Sequence, residues 1–163
     1  MLLVGGNQNV PAYSATAEIY DPASGTFSAT GSMTVGRDWP QAITLKDERV
    51  LVVGGGNNTG GLDTAEIYDP KTGTFSQAAN KLSLARIYPA ATLLPNGKVL
   101  VTGGWITNLG ATTSQELFDP ATNRFSPTGS TCVGRYHHDA FVLPDGSVLD
   151  AVGGDNSAEV LRP

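Results

Sequence analysis

The sequence predicts an all-β protein built from a four-stranded antiparallel unit that repeats about every 49 residues. Three observations lead to this prediction. The 163 residues include 20 glycines and 10 prolines, a density of turn formers that disfavours long helices. Apolar residues make up 40% of the chain, which is enough for a buried core. Several short phrases also recur along the chain in a fixed order, which is the signature of a repeat architecture.

A pair of glycines closes an apolar run four times, at intervals of 49, 49 and 50 residues. Three other features recur at matching places: an arginine, an acidic and aromatic phrase that ends in Asp-Pro, and a phenylalanine. The recurring positions are Gly5-Gly6, Gly54-Gly55, Gly103-Gly104 and Gly153-Gly154; Arg37, Arg86 and Arg135; 18–22, 66–70 and 116–120; and Phe27, Phe75 and Phe125. This constant order indicates one structural unit used repeatedly.

Each unit is predicted to contain four strands joined by turns. The first strand follows the arginine, as in 90–94, and a Pro-Asn-Gly turn at 95–97 follows it, because Asn-Gly supplies the positive φ of a tight hairpin. The second strand is a continuous apolar run such as 99–102, which indicates burial on both faces. The acidic and aromatic phrase forms the third strand, and residues such as 74–76 form the fourth. Four strands in about 50 residues is the size of one β-propeller blade.

This order of residues resembles the kelch repeat over essentially the whole chain. Phenylalanine stands where kelch repeats usually have tryptophan. The resemblance implies a propeller blade whose first strand lines a central channel and whose fourth strand lies outside. It also implies that the aromatic rings fill the space between blades and that the paired glycines let neighbouring blades approach closely. The recurring arginines are expected to bond carbonyls of a neighbouring blade, and the recurring glutamates to belong to the scaffold.

One kelch region is therefore expected to cover 1–163, with about three and a quarter blades. The divisions are a partial blade at 1–36 (strands two to four), full blades at 37–85 and 86–134, and a partial blade at 135–163 (strands one to three). Kelch propellers close with six or seven blades, and an open arc leaves two apolar blade faces in water. We expect a partial propeller that is either the piece of a longer protein or completed by self-association of identical chains.

Composition and charge exclude several classes of function. The net charge is −5 and lysines and arginines form no cluster, so binding of nucleic acid through a basic patch is not expected. Cys132 is the one cysteine, so an intrachain disulfide is impossible. No apolar run approaches 18 residues, so we expect a soluble chain without a membrane partner, and the compartment, secretion included, stays open. Nucleophile-elbow, phosphate-loop and Cys-x-x-Cys motifs are absent.

One position differs between repeats while the framework stays constant. Two residues after each recurring arginine stand Trp39, Tyr88 and His137. In a propeller this loop lies at the channel mouth, where ligands meet the fold. Variable rings on a constant frame suit ligand recognition, and the alternative is that the rings simply fill space near the channel axis.

Residues 136–139, Tyr-His-His-Asp, form another cluster of ligand-type side chains. On an extended strand alternate residues face opposite sides, so at most a pair could act together. Residues 135–138 with 143–146 resemble the last propeller blade of galactose oxidase-like copper radical oxidases, which implies copper ligands at Tyr136 and His137. Tyr88 and Trp105 likewise resemble the second tyrosine and the stacking tryptophan of that family. However, Trp39 stands where the family has a crosslinked cysteine, and the family takes another histidine ligand from a further domain.

The sequence thus favours a non-catalytic kelch β-propeller module that binds a protein, a carbohydrate or a small ligand through channel-mouth loops, with no cofactor. The alternatives are a propeller fragment of a galactose oxidase-like copper oxidase and a truncated or engineered propeller that self-assembles. Expected partners are a protein or glycan ligand and a second copy or the remainder of a longer propeller. No catalytic residue is assigned. The candidate ligand-binding residues are Trp39, Tyr88, Trp105, Tyr136, His137 and His138.

Overall fold

The computed structural model describes residues 1–7, 13–153 and 157–162, and in these residues it contains seventeen strands and no helix. No helix in these ranges is therefore able to cross a membrane. The strands, in chain order, are β1 (Leu2–Val4), β2 (Ala17–Asp21), β3 (Thr26–Ala29), β4 (Gln41–Thr44), β5 (Val50–Val53), β6 (Gly56–Asn57), β7 (Gly60–Gly61), β8 (Ala65–Asp69), β9 (Thr74–Gln77), β10 (Ala90–Leu93), β11 (Val99–Thr102), β12 (Trp105–Ile106), β13 (Gly110–Asp119), β14 (Arg124–Arg135), β15 (Asp139–Val142), β16 (Val148–Ala151) and β17 (Ala158–Leu161).

Four antiparallel sheets follow one another along the chain. The first is β1-β2-β3, the second β4-β5-β8-β9, the third β10-β11-β13-β14, and the fourth β15-β16-β17. The short strands β6 and β7 pair with each other after β5, and β12 pairs with the start of β13. Each sheet has the neighbour order of a propeller blade, which confirms the all-β, kelch-type fold predicted from the sequence.

The second strand of each blade supplies the core. Leu51 and Val53 of β5 and Val99 and Val101 of β11 are fully buried together between the second and third sheets. On the other face of β11, Leu100 is fully buried in a second cluster with Val148 of the fourth sheet. The innermost strands β4, β10 and β15 lie side by side, so the three sheets radiate from one edge. The continuous apolar runs were therefore correctly predicted to be strands buried on both sides.

The recurring phenylalanines are covered to different extents. Each ring packs on an aromatic side chain of the third strand, with centroids 4.8–4.9 Å apart. Phe125 joins the core between the second and third sheets and is only 5% exposed, as the prediction of rings between blades requires. Phe27, in the first sheet, is 55% exposed because no described sheet packs on it.

The paired glycines connect each repeat to the next. The second glycine of each pair donates its backbone N–H to the carbonyl oxygen of the next recurring arginine; the N···O distances are 2.9 Å for Gly6–Arg37, 3.1 Å for Gly55–Arg86 and 2.7 Å for Gly104–Arg135. A Cβ on Gly103, whose φ is +60°, would lie 2.6 Å from the carbonyl oxygen of Arg135. Only glycine allows this approach, as predicted. Gly154 lies outside the described residues.

The arginine side chains act within their own repeat, which corrects the expectation that they bond a neighbouring blade. Arg86 donates to the carbonyl oxygens of Gly103 and Ser114 at 3.0 and 3.2 Å and to a carboxylate oxygen of Glu116 at 2.9 Å. Glu116 in turn accepts the backbone N–H of Ser83. Burial lowers the pKa of Arg86, although the charge of Glu116 opposes this effect. The guanidinium thus holds the loop before it, the end of the second strand and the third strand together.

Candidate functional site

The three variable rings that follow the arginines meet one another. Tyr88 and His137 stack with centroids 3.6 Å apart. The ring of Trp39 stands edge-on to both, at 5.5 Å from Tyr88 and 5.8 Å from His137. We call Trp39, Tyr88 and His137 the ring cluster. Residues 49 positions apart in the sequence therefore form one continuous aromatic surface, with Trp39 55% exposed.

The backbone around the ring cluster is fixed on both sides. The recurring arginine stands two residues before each ring, and its carbonyl oxygen accepts a backbone hydrogen bond from a glycine of the repeat before it. The residue that follows the arginine pairs with the short strand after the paired glycines. Asp38 exchanges two backbone hydrogen bonds with Gly56, both 2.9 Å, and Ile87 exchanges two with Trp105. Within this frame every residue of the ring cluster adopts a left-handed backbone, with φ between 52° and 54°.

A left-handed backbone is unfavourable for a bulky side chain, at about 1–2 kcal/mol per residue. The same conformation recurs at all three positions of the ring cluster, so the strain belongs to the repeat and not to one side chain. Strain of this kind persists only where neighbouring contacts impose it, and it concentrates at functional sites. In this protein the left-handed backbone directs each ring away from its own strand and towards the other two rings of the cluster.

Two small pockets lie on either side of the Trp39–Tyr88 pair. The histidine pocket has a volume of about 80 Å³, and His137 and His138 complete its wall. The carboxylate pocket has a volume of about 90 Å³, and Tyr13 and Asp38 complete its wall together with backbone at Gly56. A larger pocket of about 340 Å³ lies at the far end of the sheets, between exposed turns.

Beneath the ring cluster lies a buried polar group that the sequence analysis missed. His138 is 4% exposed and Asp150 is fully buried; Nε2 of the imidazole lies 3.4 Å from Oδ1 of the carboxyl group. Thr102 donates its hydroxyl to Oδ2 of Asp150 at 2.9 Å. Burial lowers the pKa of His138 more than the charge of Asp150 raises it, and burial raises the pKa of Asp150. His138 is thus a buried imidazole and not an open loop histidine.

The repeat itself contained the signal for this group. Where the third repeat boundary has His138, the two earlier repeats have Pro40 and Pro89. Asp150 stands in β16 at the register position that a valine occupies in β5 and β11. A carboxylate in the middle of a buried strand is costly unless it is paired. The partner of Asp150 could therefore have been predicted among the nearby positions where the sequence departs from the repeat, such as His138.

The remaining predicted site residues adjoin the ring cluster at His137. Trp105 contacts Tyr136 edge-on at 5.0 Å, and Tyr136 lies 5.6 Å from His137. Trp105 therefore packs on Tyr136, whereas the oxidase resemblance would pair it with Tyr88. All six candidate residues lie in one connected surface, of which His138 is the buried floor.

These residues do not fit a mononuclear copper centre. Tyr136 and His137 offer two donors, and the imidazole of His138 faces Asp150. In the described ranges no group of three histidine, cysteine, aspartate or glutamate side chains comes together. Because copper in proteins is normally held by more than two good ligands, these residues would not hold a copper ion by themselves.

A comparison with protein families matches residues 42–82 to the kelch motif. The matched segment runs from β4 through the turn after β9, which is the second sheet. No curated protein matches the chain. The match confirms, in one repeat, the resemblance that the sequence shows along its length.

Proposed function

Because the chain is a kelch-repeat protein with propeller-type blades, we propose that it acts as a non-catalytic binding module. The ring cluster at the mouth of the channel would contact the ligand, which is a protein, a carbohydrate or another small molecule. The constant arginines, glutamates and glycines would form the frame that holds these rings. No cofactor takes part in this function.

The observation that supports the proposal most strongly is the convergence of Trp39, Tyr88 and His137. Rings that only filled space would be expected to be covered, yet Trp39 is 55% exposed and both Trp39 and Tyr88 line two pockets. Tryptophan and tyrosine supply large contact areas with few rotatable bonds, so ordering them on binding costs little. A strained backbone that holds them before the ligand arrives lowers that cost further.

The test is binding of the intact chain to a glycan array and to a peptide array, repeated with Trp39→Ala and Tyr88→Ala. We expect ligands whose signal is lost in both variants. Phe27→Ala is the matched control, because that ring is equally exposed but lies on β3, at the edge of the first sheet. Signals that survive both ring-cluster substitutions, or that Phe27→Ala removes equally, would refute the proposal. Circular dichroism of each variant verifies folding.

The oxidase alternative rests on the sequence resemblance alone, because Trp105 packs against Tyr136 and not against Tyr88. It predicts stoichiometric copper binding that disappears in Tyr136→Phe and His137→Ala, together with peroxide release from a primary alcohol substrate. The binding-module proposal predicts neither. Copper titration followed by absorbance separates the two functions in one experiment.

We also propose that the open sheet faces pack against further blades, either of a second copy or of a longer propeller. Val160 is 56% exposed, whereas Ile67, at the same register position of the second sheet, is 1% exposed. Burial of such an apolar face is the usual driving force for stacking repeats. Light scattering over a range of concentrations tests the first case: a mass of two chains supports it, and a monomer at every concentration contradicts it.

A further inference from the structure

We propose that the carboxylate pocket binds a methylated ammonium group, as found in small quaternary ammonium compounds and in methylated lysine side chains. This inference rests on the proposed function, because Trp39 and Tyr88 of the ring cluster form two walls of that pocket. It adds the chemical class of the ligand.

The aromatic walls have the arrangement that attracts a cation. Tyr13, Trp39 and Tyr88 all line the pocket. The planes of Trp39 and Tyr88 make an angle of 64°, with centroids 5.5 Å apart, so the two rings form a corner and not a flat stack. A cation in such a corner lies within about 6 Å of both ring centroids, which is the range of the cation–π attraction. Tyr13 lines the same pocket as a third aromatic residue.

The charge of the pocket has the matching sign. Asp38 is the acidic side chain of the wall, and no lysine or arginine side chain lines it among the described residues. Its Oδ1 accepts the backbone N–H of Trp39 at 3.0 Å, which holds the carboxylate beside the indole ring. The neighbouring Arg37 does not neutralise it, because that guanidinium is buried against Glu66 at 3.1 Å and bonds the carbonyl oxygen of Gly54.

Methylation is what distinguishes the expected ligand from an ordinary lysine. A primary ammonium is strongly hydrated and needs hydrogen-bond acceptors when water leaves. The aromatic residues of the wall contact methyl groups well, whereas the acceptor side chains on it, Asp38 and Asn57, already accept hydrogen bonds through their Oδ1 atoms. With a volume of about 90 Å³, the pocket suits one compact headgroup. The net charge of −5 also favours the approach of a cation.

The test is isothermal titration of the intact chain with choline and with 3,3-dimethylbutan-1-ol, its neutral carbon isostere. We expect choline to bind and the isostere to bind at least about tenfold more weakly. Trp39→Leu keeps an apolar side chain but removes the π face, and should weaken choline binding about fivefold or more. Asp38→Asn keeps the shape but removes the charge, and should weaken choline binding and reduce its salt dependence. Phe27→Leu, the matched control, should leave it unchanged.

Equal binding of choline and its isostere would overturn the inference, and so would choline binding that survives both Trp39→Leu and Asp38→Asn. A peptide with trimethyllysine, compared with the unmodified peptide and with choline, then assigns the source of the headgroup by relative affinity. The two proposals fail separately. If array ligands need Trp39 but tetramethylammonium does not compete with them, only the cation inference is wrong. If array binding does not need the ring cluster, the proposed function is wrong.

Discussion

Removing the charge of a recurring glutamate should show how strongly the frame depends on its buried ion pairs. The perturbation is Glu116→Gln, which keeps the shape of the side chain. The side chain of Arg86 is fully buried and that of Glu116 is 3% exposed, with 2.9 Å between their closest atoms. Without the carboxylate, the guanidinium stays buried with no opposite charge, and loss of one partner from such a pair costs about 3–5 kcal/mol.

The last repeat, which begins at Arg135, provides a matched comparison. Glu159 faces Arg135 at 3.5 Å and its side chain is 17% exposed, so water screens its charge better than that of Glu116. Glu159→Gln should therefore reduce the free energy of unfolding by about half as much or less. The first pair, Arg37 with Glu66, is as buried as the Arg86 pair and should behave like it.

The assay is equilibrium unfolding in urea, followed by far-ultraviolet circular dichroism and by tryptophan fluorescence. Coincident transitions by the two probes validate a two-state analysis. The reasoning would be refuted if Glu116→Gln lowered the free energy of unfolding by less than about 1 kcal/mol. It would also be refuted if Glu159→Gln cost as much as Glu116→Gln, because burial would then not set the magnitude.

Three further outcomes are expected. Gly103→Ala should cost about 3 kcal/mol or more in the free energy of unfolding, since it adds a clash with the carbonyl of Arg135 to the strain of a positive φ. Gly25→Ala, at φ +68° with open space around its Cβ, should cost only about 1 kcal/mol, and equal costs would disprove the close-approach argument. Burial lowers the folded-state pKa of His138, so through this group the unfolded chain binds the extra proton just below about pH 6.5 and stability should fall as the pH decreases from 7.5 to 5.5. The raised pKa of Asp150 acts in the opposite sense and keeps this slope below about 1.4 kcal/mol per pH unit. Replacing both buried groups with the residues of the earlier repeats, His138→Pro with Asp150→Val, should remove this slope and raise stability by about 1–4 kcal/mol; urea unfolding at both pH values measures each effect.

Much of the fold could be predicted because the same chemical requirement recurs in every repeat. The Asp-Pro turns, the paired glycines and the buried second strands each appear at least three times with nearly constant spacing, so chance matches are excluded. The convergence of Trp39, Tyr88 and His137 was predictable for the same reason, since equivalent positions in neighbouring blades lie side by side.

Other parts of the site were hidden from periodic reasoning. The pairing of each arginine with the glutamate of its own repeat depends on side-chain direction, which spacing does not encode. The His138–Asp150 pair occurs once, and its members look like independent exceptions until the fold places them together. Asp38 reads as an ordinary loop acid, and Tyr13 comes from a different repeat altogether. Such contacts between unlike repeats are the ones that the structure adds.

The most direct test of the ring cluster as a ligand site is nuclear magnetic resonance of the aromatic side chains during a titration with tetramethylammonium. In the free protein we predict nuclear Overhauser contacts between the Tyr88 and His137 rings, which lie 3.6 Å apart, and from both to the indole of Trp39. On addition of the cation, the signals of Trp39 and Tyr88 should shift together and saturate, while those of Phe27 stay in place. Absence of the contacts among the three rings, or saturable shifts that spare Trp39 and Tyr88, would contradict the account.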